Sequence, residues 1–193
     1  MKEGNLMDEN KRRTILFTAM KLFNENGFHA TPTSKIAKKA KVSVGTLFNY
    51  FPTKEDLIHA IYKDIKIHSK ATFLEAIREC HTNHDNMRNM WAAVIKWGIE
   101  NPEEFNYLEL FIHSPFRKLY VNEKNMETFK KFRYSILHTI SPATICVEYP
   151  EYATIFIDNA LTATINFIND NEILDVNNFV QNSFELMWHG FSQ

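Results

Sequence analysis

The 193-residue sequence contains few of the residues that break helices or cross-link a chain. It has only five glycines and six prolines, and nearly all of them lie between stretches of helical periodicity, which favours long helices with short connections. Its two cysteines, Cys80 and Cys146, lie far apart and form no C-x-x-C pair, so we expect inert thiols in a reducing compartment. An all-α fold of about nine helices is predicted.

Long apolar runs are absent as well. No run of about eighteen apolar residues occurs, and the first residues, MKEGNLMDENKRR, contain no apolar segment of the kind that a secretion signal requires. We therefore expect a soluble, cytoplasmic protein that does not contact a membrane. Enzyme signatures such as G-x-S-x-G, a phosphate-cradling glycine loop and H-E-x-x-H are also missing, so we predict neither an enzyme nor a bound cofactor.

The net charge of −1 conceals a division along the chain. Residues 1–70 carry 13 Lys and Arg against 7 Asp and Glu, whereas residues 71–193 carry 9 against 16. A basic N-terminal third joined to an acidic remainder is typical of a protein whose first part binds a polyanion, although a charge run can also be a solvated face.

Capping and stop signals divide the first 53 residues into three helices. Asp8 is a good N-cap for the first helix, and Asn26-Gly27 is a good stop. Thr33 can cap a second helix of two turns, and Ser43 can cap a third helix that ends before Pro52. Two short helices joined by a tight turn can place the second of them in the major groove of DNA.

Longer helices are predicted for the rest of the chain. A capping box at Thr53-Lys54-Glu55-Asp56 begins a fourth helix that runs to about Cys80, and Asn101-Pro102 begins a sixth helix. We expect a helix-turn-helix domain, a connecting helix, and a ligand-binding and dimerisation domain at residues 1–53, 54–80 and 81–193. The fifth helix follows the polar residues 81–85, and the last three are predicted near residues 122–140, 150–168 and 175–189.

The segment between the second and fourth helices carries groups that suit a phosphate backbone. Hydroxyl donors and one cation are available at Thr33, Ser43, Thr46, Tyr50 and Lys54. Gly45 lies inside a helix, where glycine costs about 0.5–1 kcal/mol relative to alanine, so a compensating contact is expected. Two explanations are open for it: close approach to a DNA backbone, or close packing against the first helix.

The stretch TSKIAKKAKVSVGTLFNYF at residues 33–51, continued by KEDL at 54–57, resembles the DNA-binding signature of the TetR (tetracycline repressor) family. The resemblance covers about residues 9–60. It implies a three-helix head and a helical body whose last two helices pair across a twofold axis, giving a homodimer on palindromic, double-stranded operator DNA. By position, Ser34, Val44 and Asn49 would face bases or nearby phosphates. The residues implied to grip the DNA backbone are Thr33, Thr46, Tyr50 and Lys54, with Gly45 allowing the close approach.

The chain departs from the family pattern at two positions. Lys41 stands where the family usually has a glycine, which strains the turn if its φ is positive but adds a charge near DNA. Phe48 stands where a tyrosine usually donates to a phosphate, which removes a hydrogen bond worth about 1 kcal/mol. Neither loss is large enough to abolish binding, so both residues stay in the predicted interface together with Ser43.

The C-terminal body is rich in aromatic residues, which can line an effector cavity or form an ordinary core. We predict a small hydrophobic or aromatic effector held by aromatic side chains, with His113 as a polar contact. The aromatic residues in this set are Trp91, Trp97, Phe105, Tyr107, Phe111 and Phe116. The spacing His81-x-x-His84 can bind a metal on a helix, but it falls in a predicted loop without cysteine support, so no metal site is predicted.

The last two helices combine small and aromatic residues, which suits either a dimer interface or an intramolecular core. The residues that carry this pattern are Ala153, Ala160, Ala163, Phe179, Phe184, Leu186 and Met187. The sequence thus predicts a ligand-responsive transcriptional regulator, and repression by covering a promoter is the common mode in the family it resembles. The alternative is a helical ligand-binding or interaction protein of the same fold that does not read DNA.

Overall fold

The computed structural model describes residues 2–76, 82–117 and 148–191, and within these ranges the secondary structure consists of α-helices without strands. The all-helical prediction is therefore confirmed. The described helices are α1 Lys2–Asn26, α2 Thr33–Lys39, α3 Val44–Tyr50, α4 Lys54–Ala76, α5 Asn83–Glu100, α6 Pro102–Ile112, α7 Pro150–Asp170 and α8 Val176–Phe191. The helix predicted near residues 122–140 and the predicted helix end at Cys80 lie outside the described residues. Among the helices in these ranges, none is both long and apolar enough to cross a bilayer.

The chain divides into two compact units that are not continuous in sequence. The first unit comprises Met1–His68 and Pro102–Asn122, and the second comprises Ser69–Asn101 and Glu123–Gln193. The first unit thus contains α6 as well as α1 to α3 and most of α4. The predicted functional boundaries after residues 53 and 80 stay a prediction, since this division records packing alone.

The core of the first unit is built on α1. Its apolar residues at helical spacing are all buried, as the periodicity predicts: Ile15, Leu16, Ala19, Leu22 and Phe23. Gly27 ends the helix with a φ of 77°, and its N–H donates to the Phe23 carbonyl oxygen at 2.7 Å, so the predicted left-handed stop is confirmed. The predicted start at Asp8 is wrong, because α1 already begins at Lys2 and the Asp8 carboxylate accepts a hydrogen bond from the Tyr50 hydroxyl.

Helix α6 packs against α1 in the first unit through polar contacts at its first turn. The side-chain amide of Asn24 donates to the Glu103 carbonyl oxygen at 2.9 Å and to the Glu103 carboxylate at 3.1 Å. Further along α6, the buried Tyr107 hydroxyl donates to the Ile58 carbonyl oxygen of α4 at 2.8 Å. These contacts place α6 beside α1 and α4.

The second unit joins α5, α7 and α8. Trp91 of α5 is buried, and its indole N–H donates to the Ser183 hydroxyl of α8 at 3.0 Å. Gly98 of α5 allows α7 to approach closely, because a Cβ at this position would lie 2.7 Å from Cδ1 and 3.2 Å from Cγ1 and Cγ2 of Ile165. The unit therefore has its own close-packed core.

Candidate nucleic-acid interface

Helix α2 belongs to the candidate interface and has one buried face and one exposed face. It buries Ile36 and Ala37 and exposes Lys35, Lys38 and Lys39, as its amphipathic pattern predicts. The prediction that Thr33 caps this helix is wrong. Pro32 occupies the N-cap position in an extended conformation, and Thr33 is the first helical residue, without a side-chain capping bond.

A buried threonine that the sequence did not single out fixes the loop that precedes α2. The Thr31 hydroxyl lies 3.1 Å from the Leu22 carbonyl oxygen and 2.8 Å from the Gly27 carbonyl oxygen. The residue is fully buried, so these bonds replace those that water would make. Thr31 therefore ties the end of α1 to the start of the helix-turn-helix.

The turn between α2 and α3 is held in a Schellman motif. The Val42 N–H donates to the Ala37 carbonyl oxygen at 3.0 Å, and the Lys41 N–H donates to the Lys38 carbonyl oxygen at 3.3 Å. Lys41 adopts the left-handed conformation that this motif requires, with a φ of 57°. Lys41 therefore has the positive φ that a glycine would adopt without strain. For a residue with a Cβ, this conformation costs about 1 kcal/mol.

Lys41→Gly is accordingly expected to raise the free energy of unfolding by about 0.5–1 kcal/mol, because glycine adopts this φ without strain. DNA affinity should fall at the same time, since a cation is lost beside α3, the helix predicted to enter the major groove. Chemical denaturation and a gel shift measure the two effects. Lys41→Ala is the matched control: it removes the same charge but keeps the Cβ, so it should weaken DNA binding without stabilising the fold. Equal stability of the two variants would contradict the strain assignment.

Helix α3 begins with the predicted cap. The Ser43 Oγ accepts from the Thr46 N–H at 3.0 Å, and the hydroxyls of Ser43 and Thr46 lie 2.8 Å apart. One of these hydroxyls must donate to the other, whichever way the pair is arranged. Together, Ser43 and Thr46 can therefore donate one hydroxyl proton to a phosphate, whereas the sequence suggested that each of them donates one.

The outward face of α3 is open around Gly45. Leu47 faces inward and is fully buried, while Gly45, Phe48 and Asn49 are exposed on the opposite side. A Cβ on Gly45 would meet only the Ser43 Oγ, at 3.8 Å. The alternative that Gly45 permits packing against the first helix is therefore wrong, and the space beside this glycine is available to an outside partner.

Two residues at the end of the motif were predicted to grip a DNA backbone. The Tyr50 hydroxyl donates to the Asp8 carboxylate, and this hydrogen bond is the main cause of the raised pKa of Tyr50. Lys54 is half-buried at the start of α4, where burial lowers its pKa and the nearby Glu55 carboxylate partly offsets that effect. The predicted capping box of α4 is confirmed, since Thr53 and Asp56 exchange backbone-to-side-chain hydrogen bonds of 3.0 Å.

The residues predicted to hold an effector fall into both units. Trp91 and Trp97 belong to the second unit, and the other five residues belong to the first. Tyr107 is packed against Phe28 and Phe23, and burial raises its pKa well above the ordinary value. An open groove of about 780 Å³ in the first unit is lined by His113, which is the member of the predicted set that contributes to it. The other groove residues include Asn24, Phe28, His29 and Asn106.

The histidine pair considered as a metal site is described only in part. His81 lies outside the described residues. His84, on α5, contacts the rings of Phe184 and Trp188, and its two ring nitrogens lie 4.0 Å from Asp85 and Glu185 carboxylate oxygens. Within the part of the chain that the structure covers, no group of three metal-ligating side chains comes together.

Comparison with known proteins places the helix-turn-helix segment in one family. Residues 15–61 match the model of bacterial regulatory proteins of the tetR family. The HTH-type transcriptional regulator UidR of Escherichia coli (strain K12) is 40% identical over 70 residues, which span 36% of this chain and 36% of UidR. The chain thus spans about a third of the length of this curated relative.

Solved structures extend the likeness to the whole chain. A tetR family transcription regulator from Shewanella sp. PV-4 is 25% identical, with a TM-score of 0.81 over 95% of this chain and 98% of that one. AibR in complex with isovaleryl coenzyme A and operator DNA has the same fold at 13% identity, with a TM-score of 0.71 over 92% of this chain and 98% of that one. Residues 15–61 therefore contain a helix-turn-helix region of the kind found in bacterial regulatory proteins of the tetR family, and the chain as a whole has the fold of solved tetR family regulators.

Proposed function

We propose that this protein is a ligand-responsive transcriptional regulator, acting as a repressor, that binds a palindromic operator as a homodimer through the helix-turn-helix at residues 33–51. The observation that carries the proposal is the open outward face of α3. This face presents Asn49 and Phe48 beside Gly45. A Cβ on Gly45 would meet no protein atom other than the Oγ of Ser43, the N-cap residue of α3. A short, capped helix with such a face fits the major groove.

Base reading by this face is limited to a few side chains. Asn49 is exposed and can make paired hydrogen bonds to adenine. Val44 and Phe48 are apolar yet 41% and 39% exposed, which suits contact with thymine methyl groups. We therefore infer modest sequence reading in each half-site, supplemented by phosphate contacts from the surrounding hydroxyls and lysines and by DNA shape.

A dimer would combine two such half-sites, and the last two helices offer a surface for it. Side chains on one face of α7 are apolar and about half exposed: Tyr152, Ile155, Phe156 and Phe167. Phe167 stacks on Phe179 of α8, with ring centroids 5.4 Å apart, and Leu186 on α8 is 81% exposed. We call these six residues the α7–α8 apolar face and infer that it is the dimer interface.

Part of the predicted interface pattern serves the protomer's own core. Ala153, Phe184 and Met187 are buried, and Phe184 packs against Trp91 of α5 with ring centroids 6.4 Å apart. These residues follow the intramolecular alternative. Ala163, Phe179 and Leu186 keep an exposed or half-exposed surface, so they remain compatible with a dimer.

The effector is proposed to be a small, hydrophobic or aromatic molecule. AibR, a protein of the same fold that was solved with isovaleryl coenzyme A and operator DNA together, supports only the coarser point that this fold can bind both an organic ligand and DNA. An effector that prefers one arrangement of the helical body would shift the protein away from the arrangement that fits the operator. Titration of tryptophan fluorescence with hydrophobic ligands should give a saturable change, and its absence across a broad set would count against this part of the proposal.

DNA binding is tested by a gel shift with DNA from the region upstream of the protein's own gene, repeated at increasing salt. Tyr50→Phe combined with Lys54→Ala should weaken specific binding about 10- to 100-fold, because each half-site loses a hydroxyl donor and a cation. The slope of log affinity against log salt should become shallower by about one for each lysine that no longer neutralises a phosphate.

Lys96→Ala provides the matched control for that double variant. Lys96 is an exposed lysine of α5 that pairs with Glu100 at 3.8 Å, and it lies outside the helix-turn-helix. Its replacement should leave affinity and salt slope nearly unchanged. Equal binding by the double variant and the native protein would overturn the assignment of Tyr50 and Lys54 to the DNA backbone. If the native protein shows no specific binding, the helical ligand-binding protein that does not read DNA is favoured instead.

A further inference from the structure

The Tyr50 hydroxyl, one of the groups assigned to phosphate binding, already has an acceptor in the protein. It donates to the carboxylate of Asp8, which lies 42 residues earlier, on α1. Both side chains are at the surface, where water could replace either partner. The hydrogen bond is also the first cause of the raised pKa of Tyr50, so it favours the protonated, donating form of the hydroxyl.

A tyrosine hydroxyl carries one proton and can donate one strong hydrogen bond at a time. Tyr50 therefore cannot donate fully to Asp8 and to an operator phosphate together. Charge adds to this competition between Asp8 and an operator phosphate, because the Asp8 carboxylate repels a phosphate that approaches the same hydroxyl. The surroundings of Asp8 are otherwise favourable to DNA, since the next turn of α1 carries Lys11, Arg12 and Arg13.

We propose that Asp8 sets the DNA affinity of this protein. In the protein without DNA, the Asp8 carboxylate holds the Tyr50 hydroxyl, and when DNA binds it competes for that hydroxyl with an operator phosphate. The inference rests on the proposed function, because it requires Tyr50 to be a phosphate contact. Binding to the operator must break the bond between Asp8 and Tyr50, so Asp8 lowers affinity at a site that the neighbouring basic residues would otherwise make stronger.

The experiment is a double-mutant cycle on one operator fragment at fixed salt. Asp8→Ala should tighten binding about 5- to 10-fold, because it frees the hydroxyl and removes a repulsive charge. Glu9→Ala is the matched control: Glu9 is an exposed acid next in the sequence, and the hydroxyl of Tyr50 bonds to Asp8 rather than to it. We expect Glu9→Ala to tighten binding no more than about 2-fold, through net charge alone.

The same pair of substitutions is then made in the Tyr50→Phe background, which has no hydroxyl to release. There, Asp8→Ala should have only the small effect of Glu9→Ala. An equal effect of Asp8→Ala with and without the Tyr50 hydroxyl, or equal effects of Asp8→Ala and Glu9→Ala in the native background, would overturn the competition.

A second measurement does not involve DNA. With tyrosine labelled at Cζ with ¹³C, and with the Tyr50 resonance assigned from Tyr50→Phe, an NMR titration gives the pKa of this residue. Asp8→Ala should bring that pKa down toward its ordinary value, and Glu9→Ala should leave it raised. An unchanged Tyr50 pKa in Asp8→Ala would show that the two side chains are not joined in solution and would overturn the inference. If the pKa responds but neither the native protein nor any variant binds DNA, the proposed function has failed instead, and the competition with it.

Discussion

Leu186→Glu is expected to weaken the association of two protomers by at least about 100-fold. Leu186 is 81% exposed and lies on α8 two helical turns after Phe179, so it is on the same side of the helix and belongs to the α7–α8 apolar face. A twofold interface contains each residue twice, so the substitution would bury two carboxylates without partners. Even about 3 kcal/mol for unpaired buried charge corresponds to a 100-fold change in the dissociation constant. Sedimentation equilibrium at several protein concentrations measures it.

Leu174→Glu is the matched control for this variant. Leu174 is fully exposed, but it lies in the connection between α7 and α8 and is not part of the α7–α8 apolar face. The same leucine-to-glutamate change should leave the dimer intact there. Because both leucines are exposed in the protomer, neither substitution should alter helix content measured by circular dichroism. If Leu186→Glu stays as dimeric as Leu174→Glu, the α7–α8 apolar face is not the interface.

The proposed dimer would matter for DNA binding because few side chains are available to read each proposed half-site. A monomer of Leu186→Glu would keep α3 intact and still bind one half-site weakly. It would lose the high effective concentration that one bound head gives the other, a gain of about 100- to 10,000-fold when geometry permits both to engage. A loss of operator affinity that is recovered at high protein concentration would connect dimerisation to DNA binding.

Signals that act within one helical turn were predictable from the sequence. The Ser43 cap, the Thr53 capping box and the Gly27 stop depend on hydrogen bonds between residues three or four positions apart, so their partners can be read directly. Lys41 belongs to the same class. A turn of this length between α2 and α3 requires a residue in the left-handed conformation after α2, whichever side chain that residue carries.

Contacts between distant residues were not predictable in this way. The bond between Asp8 and Tyr50 spans 42 residues, and the bond between Asn24 and Glu103 spans 79. No local spacing identifies either pair, and the second one is part of what places α6 in the first unit. Periodicity has a similar limit, because it shows that Phe184 belongs to an apolar stripe but not which neighbour covers that stripe.

Phe111→Ala is expected to lower the free energy of unfolding by about 3–5 kcal/mol, the usual cost of removing a buried aromatic ring. Phe111 was predicted as a wall of an effector cavity, yet only 2% of its surface is exposed. Its ring stacks on Tyr62 of α4 at a centroid distance of 4.3 Å and makes a T-shaped contact with the His59 ring at a centroid distance of 6.0 Å. Packing of this kind stabilises the first unit whether or not an effector is present.

His113→Ala is the matched comparison, since His113 is exposed just beyond the end of α6 and lines the open groove. It should change the free energy of unfolding by no more than about 0.5 kcal/mol, as exposed substitutions generally do. Urea denaturation of both variants without effector separates the two roles that the sequence left open. A core residue shows its full cost in the unliganded protein, whereas a residue that mainly contacts effector loses little stability until the effector is added. If Phe111→Ala lowers the free energy of unfolding by less than about 1 kcal/mol, Phe111 would therefore be assigned to the effector site.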